Sequence, residues 1–480
     1  MKILKKDGSD LLVVASRSEN VHRGDYLIIF DDVDSNQLIV QIYDETYLDN
    51  PGSTEEIIRG EILQIKGIDE DPVDLSSMLT LLKDLRVLKC RSRGTLLNGK
   101  HIPNSEWLPS RASSTVLKIP LPQLISSKDS PFSLEIGSTY DDESITIPGE
   151  AFDASINIIT GKKGTGKSHL AKVLMANLVS IKANTMVFDV NGEYEELTRR
   201  KDGKPSELND KVIVLKPGEN LKFSLPYLGK NALTDIFLHT LDTNYNTVRE
   251  FSRIYDILAS QNSVNLKSLR DTISGFNCND RVKEALISRY DSLISSNIFS
   301  DNFDDCLRIE DEFNNKTDGV ILIISLKNSS SFVRKLIVEL MLSKVTQLLE
   351  FGIIRPLLLF AEEAHLYLKD TFWDDIVTRM RHLGIFTTFI TNQPDSINES
   401  IRRQVDNIFL FNLVNDSDLD AISRISVADS DTIKSIVKTL PKGYCLAVGK
   451  VVSELPSVLK ISDPNLITSG ASKSFLFPEL

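Results

Sequence analysis

One stretch decides the fold of this 480-residue chain: Gly161-Lys162-Lys163-Gly164-Thr165-Gly166-Lys167-Ser168. It matches the pattern G-x-x-x-x-G-K-[ST], follows the apolar run Ile156–Thr160 and precedes a segment with an apolar stripe that begins at His169. A strand, a glycine-rich loop and a helix in this order form a phosphate-binding loop, because the loop N–H groups and the helix N-terminus attract an anion. The pattern therefore predicts a nucleoside triphosphate site.

Two residues at the end of this loop are expected to act directly on the ligand. In a phosphate-binding loop the lysine reaches the β- and γ-phosphates, and the hydroxyl of the next residue holds magnesium. We assign these roles to Lys167 and Ser168. A chance glycine-rich turn is the alternative, and the flanking strand and helix argue against it. The predicted nucleotide-binding residues are Gly161, Lys162, Lys163, Gly164, Thr165, Gly166, Lys167, Ser168 and His169.

The composition limits the classes of function. Hydrophobic residues make up 41% and charged residues 25% of the chain, as in ordinary globular proteins. The net charge of −12 argues against a generally basic surface but is compatible with a basic lining inside a ring. The four cysteines form no C-x-x-C pair, so neither a zinc site nor a disulfide framework is expected. Because the sequence has no apolar signal segment and no membrane-length run, we expect a soluble, cytoplasmic protein without a membrane partner.

Residues 1–119 contain short strand-like runs separated by Asp-, Asn- and Gly-rich breaks. Many short strands with regular breaks are typical of a small β-barrel, which we expect for this domain. The predicted strands are Leu11–Ala15, Tyr26–Phe30, Leu38–Tyr43, Glu61–Ile65, Arg86–Cys90 and Thr115–Ile119, and one helix is predicted at Asp74–Asp84. Residues 120–148 are expected to form a linker and a lead-in strand.

From residue 149 to residue 465 strands and helices alternate, which predicts a mostly parallel sheet covered by helices on both faces. The expected fold class is α/β, with the sheet of a P-loop NTPase. Residues 230–300 have helical periodicity and no clear strand, so we expect an α-helical insertion there, and residues 466–480 form a tail. The other predicted strands are Thr185–Val190, Lys211–Leu215, Gly319–Leu326, Pro356–Ala361, Ile385–Thr391, Ile408–Leu413 and Tyr444–Val448, and a long helix is predicted at Ser330–Glu350.

Two acids, Glu362 and Glu363, follow the apolar strand that ends at Ala361. In P-loop NTPases a carboxylate at such a strand end holds magnesium, directly or through water, and a neighbouring one can accept a proton from the attacking water. We assign Glu362 to the metal and Glu363 to the base. A solvated acidic turn after a core strand is the alternative, and the preceding phosphate loop favours the functional interpretation.

Two amides follow the predicted strand Ile385–Thr391. Asn392 or Gln393 could sense the γ-phosphate or orient water there, as a glutamine does in other NTPases, or could cap the turn. Gln393 is included among the predicted catalytic residues.

Two arginines, Arg379 and Arg381, end the helix before this strand. Basic residues at a helix end often interact only with the helix dipole. The sharper hypothesis is an arginine finger donated across a subunit boundary, with Arg381 favoured over Arg379. Both remain candidates at this point.

Several further polar residues have a functional and a structural interpretation. Asp189 and Glu193, near the end of a neighbouring strand, either complete the site or shape the turn. Clustered cations are candidates for contact with DNA phosphates, although such clusters are more often solvated surface. These candidates are Arg199-Arg200-Lys201, Lys204 and Arg402-Arg403.

Taken together, the motifs resemble those of the HerA family within the HerA/FtsK group of ring ATPases. The residues that carry the resemblance are Gly161–Ser168, Phe188–Tyr194, Phe360–His365, Arg381–Gly384 and Thr391–Pro394. The order of the motifs and the string Glu362-Glu363-Ala364-His365 are specific, whereas the phosphate loop alone is not. The N-terminal strands also suit the small barrel of that family.

The resemblance implies a homohexameric ring that hydrolyses ATP with Mg²⁺ at subunit boundaries and moves along double-stranded DNA threaded through its pore. Family members commonly act with a nuclease or another effector, in DNA processing or in defence against phage. The chain itself has no acid cluster with nuclease spacing outside the ATP site. A nucleotide-gated hexameric scaffold that assembles and activates an effector enzyme is the alternative function.

Overall fold

The computed structural model describes residues 1–31, 36–47, 85–97, 100–103, 107–125, 130–314, 318–368 and 381–467. The predicted strand Glu61–Ile65, the predicted helix Asp74–Asp84, Arg379 and the residues after 467 lie outside this part. Contacts divide the chain into two units, Met1–Ile147 with Ile408–Ile461, and Pro148–Asn407 with Ser462–Leu480. The domain boundaries inferred from the sequence stay a prediction.

The N-terminal strands of the first unit form an antiparallel sheet in the order β1-β2-β5-β4-β3-β7, with β6 paired to β5. Alternate side chains such as Val13, Leu27 and Val40 form one buried core, as expected for a sheet with one covered face. Because the edge strands β1 and β7 also contact each other, the sheet curls into a half-barrel. The strands are β1 (Lys2–Asp7), β2 (Asp10–Ala15), β3 (Tyr26–Asp31), β4 (Gln37–Tyr47), β5 (Arg86–Leu97), β6 (Lys100–Ile102) and β7 (Ser114–Ile119). The small N-terminal barrel-like sheet is thus confirmed.

Three elements follow this sheet where the sequence predicted a linker and a lead-in strand. They are α1 (Leu121–Ile125), β8 (Ser133–Ser138) and β9 (Ser144–Pro148).

The second unit contains a sheet of six parallel strands in the order β12-β13-β11-β14-β15-β10. The strands are β10 (Ile156–Thr160), β11 (Asn184–Asp189), β12 (Val212–Leu215), β13 (Ile321–Ser325), β14 (Leu357–Glu362) and β15 (Ile385–Thr391). All residues of β10, β11, β13 and β14 are buried, as is usual for parallel strands covered on both faces. The carboxyl ends of all six strands lie at one edge of the sheet, where ligands bind in such folds.

The register brings the predicted site residues to that edge. Thr160 at the end of β10 pairs with Thr391 at the end of β15. Phe188 pairs with Ala361, so the residues that follow them, Asp189 and Glu362, are neighbours at the ends of β11 and β14. Strand β15 separates the loop strand β10 from the acidic strand β14.

The helices of the second unit include the predicted insertion, which consists of α3 to α6. Capping asparagines begin several of them: Asn244 accepts a hydrogen bond from the Thr247 N–H, and Asn265 from that of Ser268. The helices are α2 (Lys167–Ser180), α3 (Leu225–Asp235), α4 (Tyr245–Ser260), α5 (Leu266–Gly275), α6 (Asp280–Ser295), α7 (Ile309–Asn314), α8 (Ser331–Glu350), α9 (His365–Leu368) and α10 (Glu399–Arg402). The α/β fold class with a helical insertion is confirmed.

The chain then supplies the last elements of the first unit, a group of strands in the order β16-β17-β18-β8-β9 with two short helices. They are β16 (Asn407–Phe411), α11 (Asp416–Ser423), α12 (Ser430–Val437), β17 (Tyr444–Gly449) and β18 (Ser457–Ile461). Within the described ranges, every helix is too short or too polar to cross a lipid bilayer.

Candidate active site

The phosphate loop connects β10 to α2, and its glycines allow the turn. Gly161, Gly164 and Gly166 have φ angles of 150°, 78° and 129°, which L-residues with a side chain rarely adopt. Lys167 is buried, and its Nζ donates hydrogen bonds of 2.9 Å to the carbonyl oxygens of Gly161 and Lys162. Burial lowers the pKa of Lys167, and the Glu363 carboxylate opposes this effect. The loop is therefore curled around the lysine that is expected to contact phosphate.

Asn392 connects this lysine to the predicted base. Its Oδ1 accepts a hydrogen bond from Lys167 Nζ, and its Nδ2 donates one of 2.7 Å to Glu363 Oε1. The next residue, Gln393, is exposed, and its backbone N–H donates to Thr391 Oγ1 at 3.0 Å. Of the two amides considered from the sequence, Asn392 is the one that the structure brings to both Lys167 and Glu363.

Glu363 is held in an unusual backbone conformation. Its φ angle is 45°, which costs a residue with a side chain about 1–2 kcal/mol. Its N–H donates to the Ile390 carbonyl at 2.7 Å, which ties the residue to β15. Within the described part of the chain, its buried Oε2 has no hydrogen-bond partner and lies 3.4 Å from His365 Nδ1. The Glu363 carboxylate is thus oriented through one oxygen and has acceptor capacity on the other.

Glu362 and Asp189 form a buried acidic pair at the adjoining strand ends. Glu362 is 2% exposed, and its Oε2 lies 3.4 Å from the Asn191 N–H. The Asp189 carboxylate accepts three backbone hydrogen bonds of 2.7–3.0 Å from the turn that ends at Tyr194. Burial first, and then the neighbouring Asp189 charge, raises the pKa of Glu362 well above its usual value. Burial also raises the pKa of Asp189.

This donor set fits a magnesium nucleotide. Buried carboxylates whose pKa values are raised by burial and mutual repulsion are stabilised as anions by a cation, and Mg²⁺ prefers oxygen ligands. The Ser168 hydroxyl, at the first turn of α2, and the free acceptor capacity of Glu363 supply further oxygens at the same edge. Lys167 and the loop N–H groups suit the phosphates.

The structure places Arg381 away from its own phosphate loop. Arg381 Nη1 lies 3.7 Å from Asp406 Oδ2, and the same oxygen accepts a 3.0 Å hydrogen bond from the Ile156 N–H. Ile156 begins β10 and the loop follows its end, so about 16 Å of strand separates the two positions. A role for Arg381 at a phosphate loop would therefore have to be in the loop of another copy. Arg379 lies outside the described residues.

Other selected residues have partners elsewhere. His169 Nε2 lies 2.8 Å from the Ser462 carbonyl oxygen rather than at the loop, and burial lowers its pKa. Two of the candidate DNA-contacting cations form ion pairs within the chain: Lys201 with Asp463, and Arg403 with Glu399 at 2.6 Å. These pairs lower the number of free cations available for phosphate contact at these two places.

Two buried residues next to the site were not selected from the sequence. Lys172, on α2, is 1% exposed, and Tyr194, at the end of the turn after β11, is fully buried. The signal that could have found Lys172 is a charged residue inside the otherwise apolar run Leu170–Leu174. Such a residue is either exposed at the edge of a stripe or buried for a reason.

The parallel sheet, the glycine-rich loop after β10 and the acids at the end of β14 define the class of P-loop ATPases, for which ATP and Mg²⁺ are the expected ligands. Residues 134–345 match the family model described as Helicase HerA, central domain. Over these residues the chain is similar to the HerA family, which is the family that the sequence motifs resemble.

Curated relatives show the same similarity. The chain is 25% identical over 340 residues to the DNA double-strand break repair helicase HerA of Sulfolobus acidocaldarius, which covers 64% of this chain and 66% of that protein. It is 23% identical over 352 residues to the protein of the same description from Sulfurisphaera tokodaii, with 64% and 67% covered. The chain thus spans just under two thirds of the length of the first of these relatives.

Solved structures with a similar fold include VirB4 and a bacterial conjugative coupling protein. VirB4 of Thermoanaerobacter pseudethanolicus has a TM-score of 0.51 and 14% identity, over 68% of this chain and 96% of that one. The bacterial conjugative coupling protein TrwB has a TM-score of 0.50 and 12% identity, over 74% of this chain and 94% of that one. At these identities the likeness concerns the fold alone.

Proposed function

We propose that the chain is an ATP-hydrolysing DNA translocase or helicase that works as a homohexameric ring. The observation that carries the proposal is the hydrogen-bonded series Lys167–Asn392–Glu363 at the carboxyl edge of the parallel sheet. It connects a phosphate-contacting cation to a carboxylate in position to receive a proton. The acidic pair of Asp189 and Glu362 lies beside it.

Each residue of the site has a defined role in this proposal. The loop N–H groups and Lys167 bind the phosphates, and Ser168 and Glu362 hold the Mg²⁺ ion. The ion, when bound, neutralises charge on the β- and γ-phosphates. Glu363 accepts the proton of the attacking water, and Asn392 orients the Glu363 carboxylate. The exposed Gln393 side chain is available at the same edge and remains a candidate for contact with the γ-phosphate.

A ring explains the position of Arg381. An arginine at the opposite edge of the sheet from its own loop can act on a nucleotide only if a neighbouring copy brings its loop to it. We assign the finger role to Arg381, with Arg379 as the second candidate. Composite sites of this kind couple hydrolysis to contact between subunits, because the arginine stabilises charge in the transition state.

Double-stranded DNA is the proposed substrate for movement. The support is the similarity to HerA relatives that are described as DNA double-strand break repair helicases. A nuclease or another effector protein is the proposed partner, in DNA processing or in defence against phage. Native mass spectrometry of the protein, alone and co-expressed with the products of neighbouring genes, would give the subunit number and identify such a partner.

The site assignment is tested with two variants and two matched controls. Lys167→Ala is expected to abolish ATP binding and turnover, and Glu363→Gln to bind ATP while turnover falls by about 100-fold or more. The controls are Lys182→Ala and Glu399→Gln, whose side chains are 65% exposed and lie in surface ion pairs. ATPase rates and binding of a fluorescent ATP analogue are the measurements. Normal hydrolysis by Glu363→Gln would remove Glu363 from the base role.

A further inference from the structure

Lys172 is a buried cation without an ordinary partner. It is 1% exposed, and its Nζ has no hydrogen-bond partner among the residues that the structure describes. A buried ammonium group that is not paired is costly, so such a residue is retained where its charge does something. Burial lowers the pKa of Lys172, and the carboxylates of Glu193, Asp189 and Glu362 oppose that effect.

The ammonium of Lys172 lies beside the ring of Tyr194. Lys172 Nζ lies 5.8 Å from the ring centroid, within the range of a cation–π interaction. Ser168 and Lys172 are four residues apart on α2 and therefore share one face of the helix. The buried Tyr194 hydroxyl lies close to Ser168, although no well-aligned hydrogen bond joins it to any described residue. The Tyr194 side chain thus follows one turn of α2, from Lys172 to Ser168.

Tyr194 is also the last residue of the turn that wraps around Asp189. Its N–H donates a 3.0 Å hydrogen bond to Asp189 Oδ2, and Asp189 lies against Glu362. The same turn also donates a hydrogen bond directly to Glu362, from the Asn191 N–H to Oε2 at 3.4 Å. A contact series therefore leads from Lys172 through Tyr194 and Asp189 to Glu362. Tyr194 also lies close to Ser168, so it adjoins the path to both residues assigned to Mg²⁺.

We propose that Lys172 is a positioning residue for the magnesium site: its ammonium fixes the Tyr194 ring, which keeps the Asp189–Tyr194 turn, Glu362 and Ser168 in register. This inference rests on the proposed ATPase function. It assigns Lys172 no contact with nucleotide or metal. Its effect is transmitted through packing and backbone hydrogen bonds, so it is distinct from that of Lys167.

A second buried lysine of this chain offers a matched control for this role. Lys344 is also buried, lies 4.1 Å from the ring of Tyr227, and has a pKa lowered by burial. Lys344 differs from Lys172 in that its Nζ donates hydrogen bonds, to the Tyr227 carbonyl and to Gln347 Oε1. Replacing either lysine by methionine removes a buried cation from an aromatic ring, but only Lys172 is connected to the acidic pair.

The test measures metal binding rather than turnover. Mn²⁺ is titrated into the protein in the presence of a non-hydrolysable ATP analogue. Electron paramagnetic resonance measures the concentration of free Mn²⁺. For Lys172→Met we expect the Kd for Mn²⁺ to rise about tenfold, equivalent to about 1.4 kcal/mol, while metal-free binding of the analogue changes by less than about threefold.

Lys344→Met is expected to lower the melting temperature without changing the Kd for Mn²⁺. Tyr194→Leu should reproduce the Lys172→Met defect, and the double variant should be no worse than either single variant.

The outcomes separate the inference from the function on which it rests. If loss of the positive charge were the only effect of Lys172→Met, Mn²⁺ would bind more tightly. An unchanged or lower Kd for Mn²⁺ in Lys172→Met therefore overturns the positioning role. Additive effects in the double variant would also overturn it. If Lys172→Met does not fold by circular dichroism, Tyr194→Leu alone decides: a normal Kd for Mn²⁺ contradicts the inference. A wild-type protein that binds neither the analogue nor Mn²⁺ would instead contradict the proposed ATPase function.

Discussion

Asn392 and Glu363 are joined by a 2.7 Å hydrogen bond from Nδ2 to Oε1, across the ends of two adjacent parallel strands. The other end of the same amide accepts a hydrogen bond from Lys167. An amide can serve both partners because it carries a donor and an acceptor on one planar group. A single side chain therefore connects Lys167, which is expected to contact phosphate, to the predicted base Glu363.

Asn392→Ala is expected to reduce kcat by about 100-fold with little change in ATP affinity, because the variant leaves the loop intact but releases the Glu363 carboxylate. Steady-state ATPase kinetics and analogue binding measure the two quantities. Asn209→Ala, at an exposed asparagine, is the control and should behave as the wild type. Equal losses in kcat and in ATP affinity would place Asn392 in nucleotide binding instead.

Glu362→Gln should stabilise the metal-free protein at neutral and alkaline pH. Because burial raises the pKa of Glu362, the native protein holds a proton that the unfolded chain has lost. Native stability therefore falls as the pH rises above the ordinary carboxyl range of about 4.5. The melting temperature of Glu362→Gln should match that of the wild type near about pH 5 and exceed it increasingly toward about pH 8. A constant difference across this range would show that Glu362 does not titrate as described, and Glu399→Gln provides the exposed control.

Arg381→Ala alone is expected to lack turnover, as is Lys167→Ala, and a mixture of the two should regain part of the activity. In a hybrid ring some boundaries join an intact loop from one subunit to an intact arginine from the other. The measurement is the ATPase rate of mixtures that native mass spectrometry shows to contain both chains. No recovery in such hybrid rings counts against a role in trans for Arg381.

Gly319→Ala should destabilise the second unit more than Gly203→Ala does. Both glycines have a φ angle near 80°, so each substitution carries a backbone cost of about 1–2 kcal/mol. A Cβ atom at Gly319 would also lie 2.7 Å from the Ala183 carbonyl oxygen, whereas at Gly203 nothing lies within 4 Å. Urea denaturation followed by circular dichroism compares the two. Equal losses in the free energy of unfolding would mean that the backbone relaxes around Gly319.

The apolar strands of the second unit could be predicted closely from the sequence, since burial on both faces requires continuous apolar runs. Ile156–Thr160 and Ile385–Thr391 were predicted with the bounds that the structure has. The strand Lys2–Asp7 was not predicted, because it has three lysines and is formed by pairing with β2. Ser457–Ile461 was also missed. It lies between β17 and β8, and β8 is far from it in the sequence.

The site was predictable where the chemistry follows from strand ends, and less so where it depends on side-chain direction. A loop, two acids and an amide at the ends of parallel strands must share an edge. Whether Asn392 or Gln393 points to Lys167 depends on the local backbone, because successive residues of an extended chain face opposite ways. The apolar run around Lys172 indicates that this lysine is unusual, but its contact with Tyr194 depends on tertiary packing that the run does not specify.

The most direct test of the central claim is the ATPase rate of the purified protein with and without linear double-stranded DNA. We predict that DNA raises the rate of the wild type, that the stimulation declines as salt is added, and that Lys167→Ala and Glu363→Gln show none. A wild-type protein that hydrolyses ATP at the same rate with and without DNA, and does not bind DNA at low salt, would contradict the translocase proposal and favour a nucleotide-gated scaffold.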